Sequence, residues 1–123
     1  MKLSMKRDRI ARYQKGHTGE NWAALYLWLK GYKKLALRYK TKLGEIDLVM
    51  AKGRQLVFCE VKARAAITGG LEAVSPKSQQ RIGRAARIFL QKNPKYQNYA
   101  SRFDVVVVRP YRVPYHLKDA WRP

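Results

Sequence analysis

The amino-acid sequence predicts a single α/β domain, a mixed sheet flanked by helices in the order α-β-β-β-α-β. Three observations carry that expectation. Apolar residues recur at helical spacing between His17 and Gly31 and again between Ser75 and Asn93. Three successive segments, 32–39, 46–50 and 56–61, are short and rich in β-branched and large apolar residues. One run, from Arg102 to Val108, is almost continuously apolar, as a strand covered on both faces should be.

Each element has a local reason. Thr18 suits the cap of the first helix, Glu20 its first turn and Gly31 its end. Within it Trp22, Leu25, Tyr26 and Leu29 form the periodic stripe, and Ala23 and Ala24 allow close approach to a sheet. Lys52-Gly53-Arg54 is a tight-turn signal between the second and third strands. Residues 64–74, with Gly69-Gly70, read as a loop. Ser75-Pro76 then starts the second helix as cap and first-turn proline, and Asn93-Pro94 ends it. A basic segment, 1–16, precedes the folded region, 17–109. Pro110, Pro114 and Pro123 mark 110–123 as an irregular tail.

With 123 residues and 46% hydrophobic content, the chain can bury a core without staples. Its net charge of +19 comes from 27 Lys and Arg against 8 acids, and it implies an anionic partner. Nucleic acid, ribosome and acidic membrane surface share that requirement. No apolar run approaches a membrane span, and the basic N-terminus lacks the apolar stretch of a secretory signal, so a cytoplasmic location is expected. One cysteine, Cys59, excludes an internal disulfide and a multi-cysteine zinc site. His17 and His116 stand alone in the sequence, and no glycine-rich phosphate loop is present.

The informative acids lie on the predicted hairpin. If Gly53-Arg54 is a two-residue loop, Lys52 faces Gln55, Asp47 faces Glu60 and Glu45 faces Lys62. Alternation then gathers Ile46, Leu48, Met50, Val57, Cys59 and Val61 on one face, and Glu45, Asp47, Glu60 and Lys62 on the other. Like charges directly opposed destabilise a sheet. A divalent cation is the simplest reason to place them so, because converging hard oxygens suit magnesium or manganese. The plainer alternative is a solvated hairpin end with an ordinary Glu45–Lys62 ion pair.

Two acids with a Glu-X-Lys motif on adjacent strands resemble the PD-(D/E)-X-K nuclease superfamily. More closely, Gly19-Glu20, Gly31-Tyr32, Gly44-Glu45-Ile46-Asp47, Cys59-Glu60-Val61-Lys62, Glu72-Ala73-Val74 and Phe103-Asp104 follow in order. Together they resemble the YraN-like family of predicted endonucleases, related to Holliday-junction resolvases, over about residues 12–108. Ile46 stands where the superfamily motif has proline, a departure this family shares. The resemblance implies a restriction-endonuclease-like fold and phosphodiester hydrolysis with Mg²⁺ or Mn²⁺. It makes Asp47, Glu60 and the Val61 carbonyl metal ligands, with Glu20 as an additional acid. Lys62 would position water and stabilise charge on the phosphate, and Glu45 would serve as a base or as the partner of Lys62. The implied substrate is nucleic acid, with structured or branched DNA placed ahead of RNA; the residues themselves do not choose between DNA and RNA. Resolvase-like relatives act as homodimers, although the sequence marks no dimer surface.

Lys77, Gln79, Arg81 and Arg84 on the second helix, with Arg64 after the catalytic strand, fit the tracking of a phosphate backbone. Tyr13, Tyr96, Tyr99, Tyr111 and Tyr115 could stack on bases or pack in the fold. Asp104 reads as a structural hydrogen-bonding residue. The rival to a nuclease is a nucleic-acid-binding or ribosome-associated protein that keeps the fold without turnover.

Overall fold

The computed structural model describes residues 19–122. The basic segment 1–16, the Thr18 cap, His17 and Tyr13 lie outside them. A first helix, α1 (residues 19–29), leads into three antiparallel strands: β1 (Lys33–Lys40), β2 (Glu45–Lys52) and β3 (Gln55–Ala63). A short helix α2 (Ile67–Glu72) and a long helix α3 (Pro76–Lys92) then carry the chain to β4 (Ala100–Val108), which lies parallel to β3. A last strand, β5 (Tyr115–Trp121), pairs antiparallel with β4. The sheet is therefore mixed, five-stranded and ordered β1-β2-β3-β4-β5. This is the expected α/β class, consistent with a restriction-endonuclease-like core.

Both faces of the sheet are covered. On one face α3 packs Ile82, Ala85, Ala86 and Phe89 against Ile46, Val49, Leu56, Phe58 and Phe103. On the other, α1 packs Ala23 and Leu27 against Leu48, Met50, Val57, Cys59 and Val106. The hairpin thus has two apolar faces over most of its length, where alternation predicted one. Ile46 also changes sides: it joins the α3 cluster rather than that of Leu48 and Met50.

Further differences have physical causes. The expected loop 64–74 contains α2, which docks so closely on β4 that a Cβ at Gly70 would lie 2.5 Å from a Val107 methyl. The expected irregular tail contains β5, because Pro110 and Pro114 precede that strand instead of interrupting it. An edge strand is paired on one side only and needs no long apolar run. In α1 the sheet side is set by Ala23 and Leu27, so Trp22, Leu25, Trp28 and Leu29 are exposed. Ala23 and Leu27, one turn apart, face the sheet together.

The caps of α3 follow the sequence reading. Ser75 Oγ accepts the Ser78 amide at 3.2 Å, and Asn93 Nδ2 donates to the Phe89 carbonyl at 2.8 Å at the other end.

Candidate active site

The site lies where β2 and β3 part. Their register runs from Lys52↔Gln55 to Leu48↔Cys59, so continuing the count sets Asp47 level with Glu60. At that point Asp47 Oδ2 accepts the Val61 N–H at 2.8 Å. A carboxylate thereby satisfies an amide at the fork and is itself fixed in place.

Glu45, Asp47, Glu60 and Lys62 line one cleft of about 280 Å³, with Ser78, Arg81 and Ile82 of α3 as its other wall. The four hairpin residues thus gather as alternation predicted. Lys62 does not form the Glu45 pair of the plainer alternative: its Nζ stands 3.5 Å from Glu60 Oε1. Half-sheltered, the Glu60 carboxyl is pushed up to about 9. Burial is the main cause, followed by the hydrogen bond and charge of Asp47, with Lys62 opposing.

That shift has a measurable consequence. A carboxyl raised above its ordinary value binds its proton more tightly in the folded chain than in the unfolded one. Its stabilising contribution is whole below the unfolded value of 4.5 and is lost as pH rises through about 9. Metal-free protein should therefore melt at falling temperature across that window, and Glu60→Gln should flatten the slope. Equal slopes for the two proteins in a thermal melt series would refute the buried pair.

Local structure explains how the acids are presented. Thr41 Oγ1 accepts the amides of Leu43 and Gly44 and donates to the Gly44 carbonyl, closing the turn that delivers Glu45. A Cβ on Gly44 would sit 2.1 Å from the Arg81 carbonyl oxygen, so only glycine lets α3 approach this turn. Gly44→Ala is expected to cost about 1–3 kcal/mol by overpacking, measurable by urea denaturation. A neutral result there would mean that α3 can shift freely.

Glu20, at the start of α1, is committed to Arg38 at 2.7 Å. Burial first, then the charges of Asp47 and Glu45, raise its pKa, while Arg38 lowers it. Arg38 reaches it from a left-handed backbone conformation, φ 51°, which is uncommon for a residue with a side chain. Among the described residues no group of three or more His, Cys, Asp or Glu side chains is arranged to hold a metal. The oxygens brought together are those of Asp47 and Glu60. Their chemistry fits a hard divalent ion, because two adjacent carboxylates ionise together only beside added positive charge.

The expected basic face is divided. Arg81 lines the acid cleft, whereas Gln79 and Arg84 line another groove and exposed Lys77 lines neither. Arg64 is exposed beyond β3 with its guanidinium on the Ala63 carbonyl at 2.8 Å. Tyr96 and Tyr99 belong to the core, Tyr96 stacked on Phe89 and edge-on to Tyr99. Tyr111 and Tyr115 are exposed.

Sequence reasoning missed a second polar cluster on the α1 face. His116 does not stand alone: its Nε2 donates to Asp104 Oδ2 at 2.6 Å, and its Nδ1 is 2.9 Å from Lys30 Nζ. Arg102 grips both oxygens of fully buried Asp104 at 2.8 Å and donates to the Tyr32 hydroxyl at 2.9 Å. The Asp119 amide adds a bond at 3.0 Å from β5. Asp104 is a structural residue, as expected. Its partner His116 lies in the segment read as irregular, which concealed the pairing. Cys59 is buried, and desolvation pushes its thiol up and away from reactivity.

Comparison with known proteins gives the chain its relatives. It is 48% identical over 118 residues to a UPF0102 protein of Agrobacterium fabrum, covering 96% of this chain and 95% of that protein. It is 46% identical over 114 residues to one from Rhodopseudomonas palustris, covering 93% and 89%. A UPF0102 protein of Parvibaculum lavamentivorans is 47% identical over 114 residues, covering 93% and 86%. The model of the uncharacterised protein family UPF0102 matches residues 19–108, which include the fork, the acid cleft and α3. On both grounds the chain belongs to the UPF0102 family.

Proposed function

We propose that the protein is a divalent-metal-dependent endonuclease that hydrolyses phosphodiester bonds in structured or branched DNA. The observation that carries this reading is the Asp47–Glu60 carboxyl pair beside the Lys62 ammonium, in an open cleft walled by Arg81. A buried carboxyl raised in pKa beside a second acid, open to a cleft on so cationic a chain, supports a functional site.

In this reading Asp47 and Glu60, with the Val61 carbonyl, would hold Mg²⁺ or Mn²⁺. A metal bound there supplies polarisation of the phosphate and a water of lowered pKa. Lys62 faces a non-bridging phosphate oxygen and offsets the charge that develops on it as the water oxygen bonds to phosphorus and the ester oxygen leaves. Exposed Glu45 accepts the proton of the attacking water, and Arg81 meets a neighbouring phosphate. Asp47 is pre-set for its part by the Val61 amide.

One observation favours the rival, a binding protein without turnover: the third acid, Glu20, is paired with Arg38. The two readings separate in a cleavage screen of branched, duplex and single-stranded DNA and RNA with each divalent ion, using Asp47→Asn as control. Metal-dependent cleavage lost in that variant is the expected result. Binding with no cleavage of any substrate would leave the rival.

A further inference from the structure

The cations of α3 serve two flanks of the helix. Arg81 turns to the acid cleft. Gln79, Gln80, Arg84 and Arg87 line a separate groove of about 420 Å³, which Arg122 reaches from just beyond β5. Among the described residues, no acidic one lines this groove. Asp119, which holds Arg122 at 3.0 Å, is not part of its wall.

Gly83 also lines the groove. Glycine inside a 17-residue helix weakens the helix relative to alanine. It stands on the groove wall with Gln80, Arg84 and Arg87 and adds no side chain there. Arg122 lies outside residues 19–108, the span of the family model, and its strand β5 was not expected from the sequence.

We infer that this groove is a second phosphodiester-binding site, holding nucleic-acid backbone on the flank of α3 away from the acid cleft. Guanidinium groups match phosphate oxygens through paired N–H donors, and glutamine amides donate to phosphate and sugar oxygens. Charge complementarity selects the occupant: arginines and amides, with no acid among the described lining residues, suit a polyanion. The inference deepens the nuclease reading by giving its substrate two points of attachment, one on each side of α3. The groove itself requires neither metal nor turnover.

The test is metal-free binding of a fluorescent 30-base-pair duplex, followed by anisotropy across a salt series. The protein carries Asp47→Asn so that the probe survives. Arg84→Gln, Arg87→Gln and Arg122→Gln are combined in one variant. Gly83→Leu, which fills the groove without removing charge, is the second. Affinity should fall roughly tenfold or more in the first, and the salt slope should drop by about 0.9 for each phosphate no longer neutralised. Gly83→Leu should weaken binding while leaving the melting temperature equal or higher. DNA affinity and salt slope unchanged in both variants would overturn the proposal. So would loss of binding to vesicles of anionic phospholipid with DNA binding intact, since the polyanion would then be a membrane. Absence of cleavage by the wild-type protein with Mg²⁺ or Mn²⁺, alongside groove-dependent binding, would sink the nuclease reading and leave the groove standing.

Discussion

Asp104→Ala should lower folding free energy by about 3–5 kcal/mol, the cost of removing one partner from a buried ion pair. Asp104 is fully buried, and its partners draw several parts of the fold together. His116 and the Asp119 amide belong to β5 and Arg102 to β4. Lys30 and Tyr32, at the exit from α1, in turn meet His116 and Arg102. Deleting the carboxylate leaves the Arg102 guanidinium half-buried without its counter-charge and the His116 ring N–H without an acceptor. Burial by itself would raise the Asp104 pKa. The hydrogen bonds from His116, Arg102 and the Asp119 amide outweigh it and hold the carboxyl below its ordinary value. Its stabilisation is therefore present above the unfolded value of 3.8 and lost as pH falls through the lower folded value. Urea denaturation of wild type and variant near neutral pH measures the difference. A loss under about 1 kcal/mol would mean that water replaces the carboxylate and that the cluster is not sealed.

Lys62→Ala should reduce turnover by about 10²–10³-fold, the usual cost of removing one donor aimed at transition-state charge. Nucleic-acid affinity should change little, because a single ammonium contributes a small part of the field of a chain carrying +19. Asp47→Asn should be more severe for cleavage. The asparagine oxygen can still accept the Val61 amide, so the fork should keep its shape while losing the charge that completes the pair. Rates with saturating metal and substrate, set beside anisotropy binding curves, separate the two effects. Equal losses in binding and cleavage would reassign Lys62 to substrate binding. Wild-type rates in both variants would remove the acid cleft from the chemistry.

Much of the fold and of the acid cleft is legible in the order of residues. The tight turn at Gly53-Arg54 sets the register of β2 and β3, and alternation then places Glu45, Asp47, Glu60 and Lys62 together. The Ser75 cap and the Asn93 terminus fix α3. These are local rules, and the local signals are strong. Glu20 shows where they stop: its role as an additional acid is implied by resemblance, but its pairing with Arg38 joins α1 to β1 and has no local signal. The exposed side of α1 shows the same limit. Trp22, Leu25 and Leu29 carry the helical period, yet Ala23 and Leu27, one turn apart, carry the packing, because the way the helix is turned towards the sheet is set by tertiary contact.

Strand pairing in the hairpin, helix ends and the sign of the surface charge follow from the sequence alone, since each depends on composition or on neighbours a few positions apart. The partners of His116 and Asp104, the need for glycine at 44 and 70, and the allotment of arginines to two flanks of α3 do not. Each depends on how far one element stands from another that is distant in sequence, and that spacing exists once the helices have closed over both faces of the sheet.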